Sequence, residues 1–459
     1  MGSPSLLQKN VADLLRSRSM GTKLLVVCTL ALLMMIPAII VNGVVSERVQ
    51  RAEEVKREIG SYVGGKQVFL GPILIIPYTL TEHLPTEKVV HGTYFVSPAQ
   101  AAGTVKAHTE ERRRSLFKVP IYQAKLQLTS DFDLSDVPSA LPNNAQLEWN
   151  HAEIAVGVSD TRGALSDATV AISDKSLTLV PAEHTMKIEG LERDMILFSA
   201  PIPEWAKPGA HFQAEANLHF SGSQHIAVLC YGKTTRLQAQ ADWPNPGFDG
   251  GFLPVTREIS GRGFSAQWSV PFIARGVRAE GPGDVIQGLG ATALGVSLIE
   301  VADPYQSVTR SLKFALLFVG LVFLAYFVFE VTTGKRVHPA QYILVGLAQI
   351  IFYLLLLSLA ERIGFDWGFL AAGGATVLLL SINASWIFES RVQGFRGLGC
   401  FGLLYVLIYV MLRLEDNALL VGAVASFIAV AATMYFTRKI GWYNSISHTG
   451  DTSQLPSAQ

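Results

Sequence analysis

Residues 24–45 read LLVVCTLALLMMIPAIIVNGVV, and these 22 residues contain no charged side chain. At a rise of about 1.5 Å per residue, a helix of this length covers a hydrocarbon core of roughly 30 Å. The run is longer than the apolar part of a secretory signal peptide, and it follows a basic segment at residues 1–23. We therefore predict an uncleaved membrane anchor, with cleavage near Val41 and Gly43 as the alternative.

Five further apolar runs lie beyond residue 311 and predict a bundle of membrane helices, six in total with the anchor. The connections 361–366 and 413–417 are short, which is typical of antiparallel neighbouring helices. The composition agrees, because 49% of the residues are apolar and 16% are charged, with a mean hydropathy of +0.32. The predicted spans are 312–329, 341–360, 367–388, 398–412 and 418–436, of which 398–412 is the shortest.

Basic residues beside the spans predict the orientation, because such residues stay in the cytoplasm. The charges of the long region 46–311 are left out of the count, because long domains cross the membrane largely regardless of charge. With residues 1–23 inside the cell, ten of the remaining basic residues are cytoplasmic and two lie in short outer loops. The sequence therefore predicts a multi-pass protein of the bacterial inner membrane with cytoplasmic ends, a disordered tail at 437–459 and a periplasmic region at 46–311. The ten are Lys9, Arg16, Arg18, Lys23, Lys335, Arg336, Arg391, Arg396, Arg438 and Lys439, and the two are Arg362 and Arg413.

The region 46–311 predicts a large β-rich domain that begins with a helical stalk. In residues 46–62 the apolar side chains recur at helical spacing. Beyond Gly64 and Gly65 the period changes to two, as in YQAKLQLTSDFDL at 122–134. Such strands have one buried and one wet face, and we expect an antiparallel sandwich or a related sheet domain. The Gly- and Pro-rich segment 242–262 is expected to be an ordered loop.

The sequence predicts no catalytic, cofactor-binding or metal-binding residue. Equal counts of 37 basic and 37 acidic residues give no argument for a nucleic-acid partner. Cys28 and Cys400 fall in apolar runs, so Cys230 has no disulfide partner in the region between them. The histidines at 184, 211, 219 and 225 share one half of the domain with Cys230, but they lack the dense spacing of a metal site.

Polar residues in the predicted bundle are the best candidates for function, because polar groups in hydrocarbon are costly unless they are paired. Gln349 and Asn383 lie at similar predicted depths, which favours either an interhelical hydrogen bond or a transport site. Glu330 and His338 lie near the predicted cytoplasmic edge, and Glu361 lies near the outer edge. The tyrosines at 326, 342, 405 and 409 fit an aromatic belt at the membrane interface.

Several strings, together with the whole layout, resemble the CreD family of inner-membrane proteins, described as cell-envelope integrity proteins. This resemblance implies a link to envelope stress, colicin tolerance and β-lactam responses, with expression under a two-component system. It implies no established reaction and offers no catalytic residues. The strings are GPILIIPY at 71–78, FLPVTRE at 252–258, ADPYQ at 302–306, FVFE at 327–330, HPAQYILVG at 338–346 and FYLLLLSLAE at 352–361.

Three functions are compatible with these features. The first is a non-catalytic envelope integrity and stress-response protein, held in the lipid bilayer, whose periplasmic domain binds a lipid, glycan or protein partner. The second is a transporter or lipid-handling protein that uses Gln349 and Asn383. The third is a membrane-interface enzyme that uses Glu330, His338 or Glu361.

Overall fold

The computed structural model describes residues 20–84, 86–114, 117–139, 141, 144–173, 175–299, 304–413 and 418–438. These residues belong to two compact units, a β unit within 51–301 and a helical unit within 1–50 and 302–459. The predicted anchor and the predicted bundle therefore belong to the same unit. The ends 1–19 and 439–459 lie outside the described residues. They include most of the predicted cytoplasmic N-terminal segment 1–23 and most of the tail 437–459 that we predicted to be disordered.

The first helix of the described residues runs from Gly21 to Tyr62 with one local irregularity. The irregularity follows from Pro37, which has no N–H to donate to the carbonyl of Leu33. The helical continuation that we predicted for 46–62 is therefore present. The helices of the described chain are α1 (Met20–Leu33), α2 (Met35–Tyr62), α3 (Phe272–Arg275), α4 (Asp284–Gln287), α5 (Pro304–Lys313), α6 (Ala315–Thr333), α7 (Pro339–Ile363), α8 (Phe365–Ile387), α9 (Arg391–Arg413) and α10 (Ala418–Thr437).

Five helices of the described chain are long and apolar enough to cross a membrane: Gly21–Tyr62, α6, α7, α8 and α9. The segment Leu420–Tyr435 within α10 is a shorter apolar helix. Two boundaries differ from the sequence analysis. Helix α9 begins at Arg391, whereas we predicted a beginning at 398. The prediction missed the first turns because they are polar and glycine-rich, although their backbone is helical. The run that we began at 312 is divided at Phe314, since α5 is a separate amphipathic helix that ends with basic residues.

The β unit is built from two sheets. The first sheet has the order β14-β18-β12-β1-β6-β10-β9, with β2 and β5 paired to β1 and β17 paired to β2, and the second has the order β15-β16-β13-β3-β4-β11-β7-β8. The strands are β1 (Gln67–Leu84), β2 (Thr86–Val96), β3 (Gln100–Arg114), β4 (Phe117–Asp133), β5 (Ala145–Leu147), β6 (Glu153–Val158), β7 (Thr169–Ile172), β8 (Lys175–Thr178), β9 (Val180–Met186), β10 (Met195–Pro201), β11 (His211–Ser223), β12 (His225–Val228), β13 (Thr234–Ala241), β14 (Pro246–Gly250), β15 (Thr256–Ser260), β16 (Gly263–Val270), β17 (Glu280–Pro282) and β18 (Leu294–Leu298).

Most strand pairs are antiparallel, as the alternating sequence predicts, but two central pairs are parallel. Strand β12 lies parallel to β1, and β13 lies parallel to β3. These pairs join segments that are far apart in sequence, so no turn motif beside either strand predicts the parallel pairing. One apolar core contains side chains from both sheets; Phe69 of β1 meets Phe220 of β11 with ring centroids 5.4 Å apart.

The segment 242–262 is not the loop that we expected. It contains β14, which pairs with β18, and β15, which pairs with β16. The proline in β14 is compatible with a strand because Pro246 is its first residue and β14 lies at the edge of its sheet. Gly250 supplies the positive φ of 97° with which that strand ends.

Tyr231 fastens the two sheets to each other. It is fully buried, and its hydroxyl donates to the carbonyls of Ala102 at 2.9 Å and Thr129 at 3.0 Å. Its ring lies on Gly71 of β1, where an added Cβ would come within 2.4 Å of the tyrosine Cζ. The glycine of the GPILIIPY string is therefore required by packing, because only a residue without a side chain leaves room for this ring.

Candidate functional site

The exposed face of the second sheet carries one continuous line of neutral polar side chains. The strand register aligns Thr104 with Gln127, Gln127 with Asn217, and Asn217 with Thr169. The same line continues to both sheet edges, so that each of the eight strands contributes one member. We call it the polar row; it consists of Thr256, Gln267, Gln238, Thr104, Gln127, Asn217, Thr169 and Thr178. All eight are exposed or half-buried.

A cationic group lies directly beside the polar row. Lys106 of β3 is opposite Lys125 of β4, and Lys125 is opposite His219 of β11. Both lysines are exposed, and neither has an ion-pair partner among the described residues. Like charges directly opposite each other in an antiparallel pair are destabilising. We call these three residues the basic group.

A cleft of about 390 Å³ covers the centre of the polar row and the basic group. Its floor is formed by β3, β4 and β11, and one wall is formed by Ser166, Asp167 and Thr169. Asp167 supplies a carboxylate to the cleft wall, and a second carboxylate, Glu215, accepts from the Asn217 amide of the polar row at 3.1 Å. The arrangement provides amide and hydroxyl groups that both donate and accept, with two ammonium groups that only donate.

His211, His225 and Cys230, three of the residues singled out in the sequence, have separate surroundings. The His225 Nε2 lies 2.9 Å from Asp249 Oδ1, whereas His211 Nε2 lies 3.2 Å from the hydroxyl of Ser135. Cys230 is fully buried, and burial raises the pKa of its thiol to about 11. Among the described residues, no group of three or more His, Cys, Asp or Glu side chains is arranged to hold a metal ion.

In the helical unit, Glu330 is the candidate residue that combines an ion pair with two further hydrogen bonds. It is 2% exposed and forms an ion pair with Lys23 of α1. Its Oε1 accepts from the Val337 backbone N–H at 3.1 Å, and its Oε2 accepts from the Tyr342 hydroxyl at 3.2 Å. This carboxylate therefore connects α1, the end of α6 and the beginning of α7.

Gln349 and Asn383 both make interhelical hydrogen bonds to α6. The Gln349 amide donates to the Phe318 carbonyl at 3.4 Å, and the Asn383 amide donates to the Tyr326 hydroxyl at 3.3 Å. Tyr326 in turn donates to the Leu380 carbonyl at 2.7 Å. Tyr326, with Tyr342 and Tyr405, is buried, so these three tyrosines do not form the interfacial belt that we expected. Their hydroxyls find partners inside the bundle, and aromatic composition alone does not distinguish the two positions.

His338 and Glu361 lie at opposite ends of α7. His338 is exposed and caps this helix, since its Nδ1 accepts from the Ala340 N–H at 3.2 Å. Glu361 accepts from the Tyr305 hydroxyl at 3.0 Å. A helix of this length separates its two ends by roughly 35 Å. Glu330, His338 and Glu361 therefore do not form one catalytic group.

The comparisons with known proteins identify the family. The family model described as inner membrane protein CreD matches residues 19–443. The chain belongs to the CreD family. A curated member, the inner membrane protein CreD of Escherichia coli strain K12, is 31% identical over 424 residues, which cover 90% of this chain and 91% of that protein. The chain is thus a membrane protein of the CreD family, with a β-rich unit and several apolar helices.

Two solved structures show only remote likeness to this CreD-family chain. A proposed nutrient binding protein from Legionella pneumophila has a TM-score of 0.24 at 12% identity, over 55% of this chain and 76% of its own. A mutant M1 zinc metallopeptidase of Deinococcus radiodurans, bound to a Tyr-Ser-Ala substrate, has a TM-score of 0.20 at 9% identity, over 74% of this chain and 94% of its own.

Proposed function

We propose that this chain is a non-catalytic protein of envelope integrity and stress response, and that its β unit binds an envelope partner on the polar row. Both chain ends are cytoplasmic and residues 46–311 are periplasmic in this proposal. The orientation is supported by the ten-to-two distribution of basic residues beside the spans. The role in the envelope is supported by membership of the CreD family.

The observation that carries the proposal is the polar row with its cleft. Eight aligned neutral side chains, one on each strand, form a line of hydrogen-bonding groups across the sheet. Such a surface can bind a polar ligand without covalent chemistry, because amides and hydroxyls donate and accept hydrogen bonds but are weak acids and bases.

Site-specific photo-crosslinking in living cells tests this function. A photoreactive residue replaces Gln127 in the middle of the polar row, and a control variant carries it at Lys187, which is exposed beside the first sheet. We expect position 127 to capture an envelope component and position 187 to capture much less. Equal capture at both positions, or capture of cytoplasmic molecules alone, would refute the proposal.

A transporter or lipid-handling protein is the second candidate. It is favoured by the buried amide oxygen of Gln349, inside a predicted span, which has no hydrogen-bond partner among the described residues. Unpaired polar atoms in hydrocarbon often mark substrate pathways. Against this candidate, Gln349 and Asn383 each have an interhelical partner on α6.

The double substitution Gln349→Leu with Asn383→Leu separates the two candidates. Interhelical hydrogen bonds in membranes contribute on average about 0.6 kcal/mol each, so we expect a loss of only about 1 kcal/mol and an unchanged envelope phenotype. The measurements are thermal unfolding in detergent and sensitivity of the cells to envelope stress. A folded double variant that behaves like a deletion strain would favour transport.

A further inference from the structure

The basic group is an electrostatic anomaly beside a row of neutral side chains. Lys106 and Lys125 are cross-strand neighbours, whose Cα atoms in such a pair are about 5 Å apart. Among the described residues, no carboxylate forms an ion pair with either lysine, although Asp167 lines the cleft wall. The repulsion between the two ammonium groups would be relieved by an anion bound between them.

The shape of the surface restricts what kind of molecule carries the anion. Eight strands at a spacing of about 4.8 Å give the polar row a length of roughly 34 Å, which suits an extended polymer. The row consists of amides and hydroxyls, and the two leucines that line the cleft, Leu126 and Leu218, are buried in the core, so the site offers no exposed apolar anchor for an acyl chain or for the apolar residues that dominate protein interfaces. A nucleic acid has a phosphate at every residue and would need more cations than this pair.

We propose, resting on the function proposed above, that the cleft binds an acidic glycan. One carboxylate or phosphate of the glycan lies between Lys106 and Lys125. The sugar hydroxyls and amides lie along the polar row, where Thr104, Gln127 and Asn217 donate and accept hydrogen bonds. The ligand is held by charge and hydrogen bonds and not by stacking on aromatic rings.

The test uses the full-length protein in nanodiscs of neutral lipid and two hexasaccharides of equal length. The acidic hexasaccharide alternates N-acetylglucosamine with N-acetylmuramic acid that has free lactyl carboxylates, and the neutral hexasaccharide is chitohexaose. Polyglutamate serves as a third ligand, an acidic polymer without sugars. Isothermal titration measures Kd for the native chain and for the double variant Lys106→Gln with Lys125→Gln. The matched control is Lys175→Gln with Lys187→Gln, which removes two exposed lysines away from the cleft.

We expect the acidic hexasaccharide to bind the native chain at least tenfold more tightly than chitohexaose does. The cleft double variant should lose at least tenfold in affinity for the acidic hexasaccharide. The control double variant should bind the acidic hexasaccharide within twofold of the native affinity, and both double variants should bind chitohexaose within twofold of the native affinity. Affinity for the acidic ligand should also fall as the salt concentration rises, because the contact is electrostatic.

Three results would overturn this inference. Equal affinity for both hexasaccharides, or an unaffected cleft double variant, excludes an anion between the lysines. Equal binding of polyglutamate shows that any acidic polymer suffices and removes the specificity for glycans. If position 127 still captures an envelope component by crosslinking, the proposed function stands while the acidic-glycan ligand is wrong; failure of both experiments rejects both.

Discussion

Replacement of Glu330 by alanine should lower the free energy of unfolding of the helical unit by about 2–4 kcal/mol. The substitution leaves Lys23 without its counter-ion, and it leaves the Val337 N–H and the Tyr342 hydroxyl without an acceptor. Removal of one partner from a fully buried pair costs roughly 3–5 kcal/mol, and we expect less because the Lys23 side chain is 32% exposed. Thermal unfolding of the full chain in detergent measures the change.

Two variants serve as controls for the Glu330 prediction. Glu330→Gln keeps an oxygen acceptor for one of the two hydrogen bonds but loses the charge and the second acceptor oxygen, so it should be intermediate between alanine and the native residue. Glu389→Gln removes an exposed ion pair with Lys335, whose atoms lie 2.6 Å apart, and should leave unfolding unchanged because exposed pairs contribute little. If all three variants unfold like the native protein, Glu330 does not fasten α1 to α6 and α7.

Tyr231→Ala should destabilise the β unit by about 3–5 kcal/mol, because it removes a fully buried aromatic ring from the core. The cavity would lie over Gly71, and the carbonyls of Ala102 and Thr129 would lose their shared donor. Tyr231→Phe retains the ring and loses only the hydroxyl, whose single proton the two carbonyls share, so it should cost only about 1–2 kcal/mol. Chemical denaturation monitored by near-ultraviolet circular dichroism measures both changes.

The matched control for Tyr231 is Tyr62→Ala, since the Tyr62 side chain is 73% exposed. This variant should unfold like the native chain. A Tyr231→Ala variant that is no less stable than Tyr62→Ala would contradict the role of Tyr231 as the connection between the two sheets.

The apolar runs and the strand alternation could be predicted from the sequence because both depend on local periodicity. In β4 the predicted alternation is confirmed: Ala124, Leu126 and Leu128 are buried, whereas Lys125 and Gln127 are exposed. Helix α9 shows the limit of this method. Its backbone is helical from Arg391, but an average over hydropathy does not detect the first turns because their residues are polar or glycine.

The candidate site could be predicted only in fragments. Each strand shows which residues face outward, but the alignment of Thr104 with Gln238 depends on a parallel pairing between distant segments. The partnership of Lys23 with Glu330 crosses 307 positions and likewise leaves no local pattern. The buried position of Tyr326 also depends on neighbours from other helices, which is why its aromatic character alone was misleading.

The parallel pairing of β1 with β12 has a consequence for how the chain is made. Strand β1 ends at Leu84, and β12 begins only at His225. At about 5–20 residues per second, the ribosome needs roughly 7–28 s to synthesise the intervening segment. The first residues of β1, Gln67–Phe69, therefore wait without their final neighbour during that interval, and β3 waits similarly for β13 over Gln100–Ala107. The nascent chain must be protected from pairing with other exposed strands until its second half has emerged.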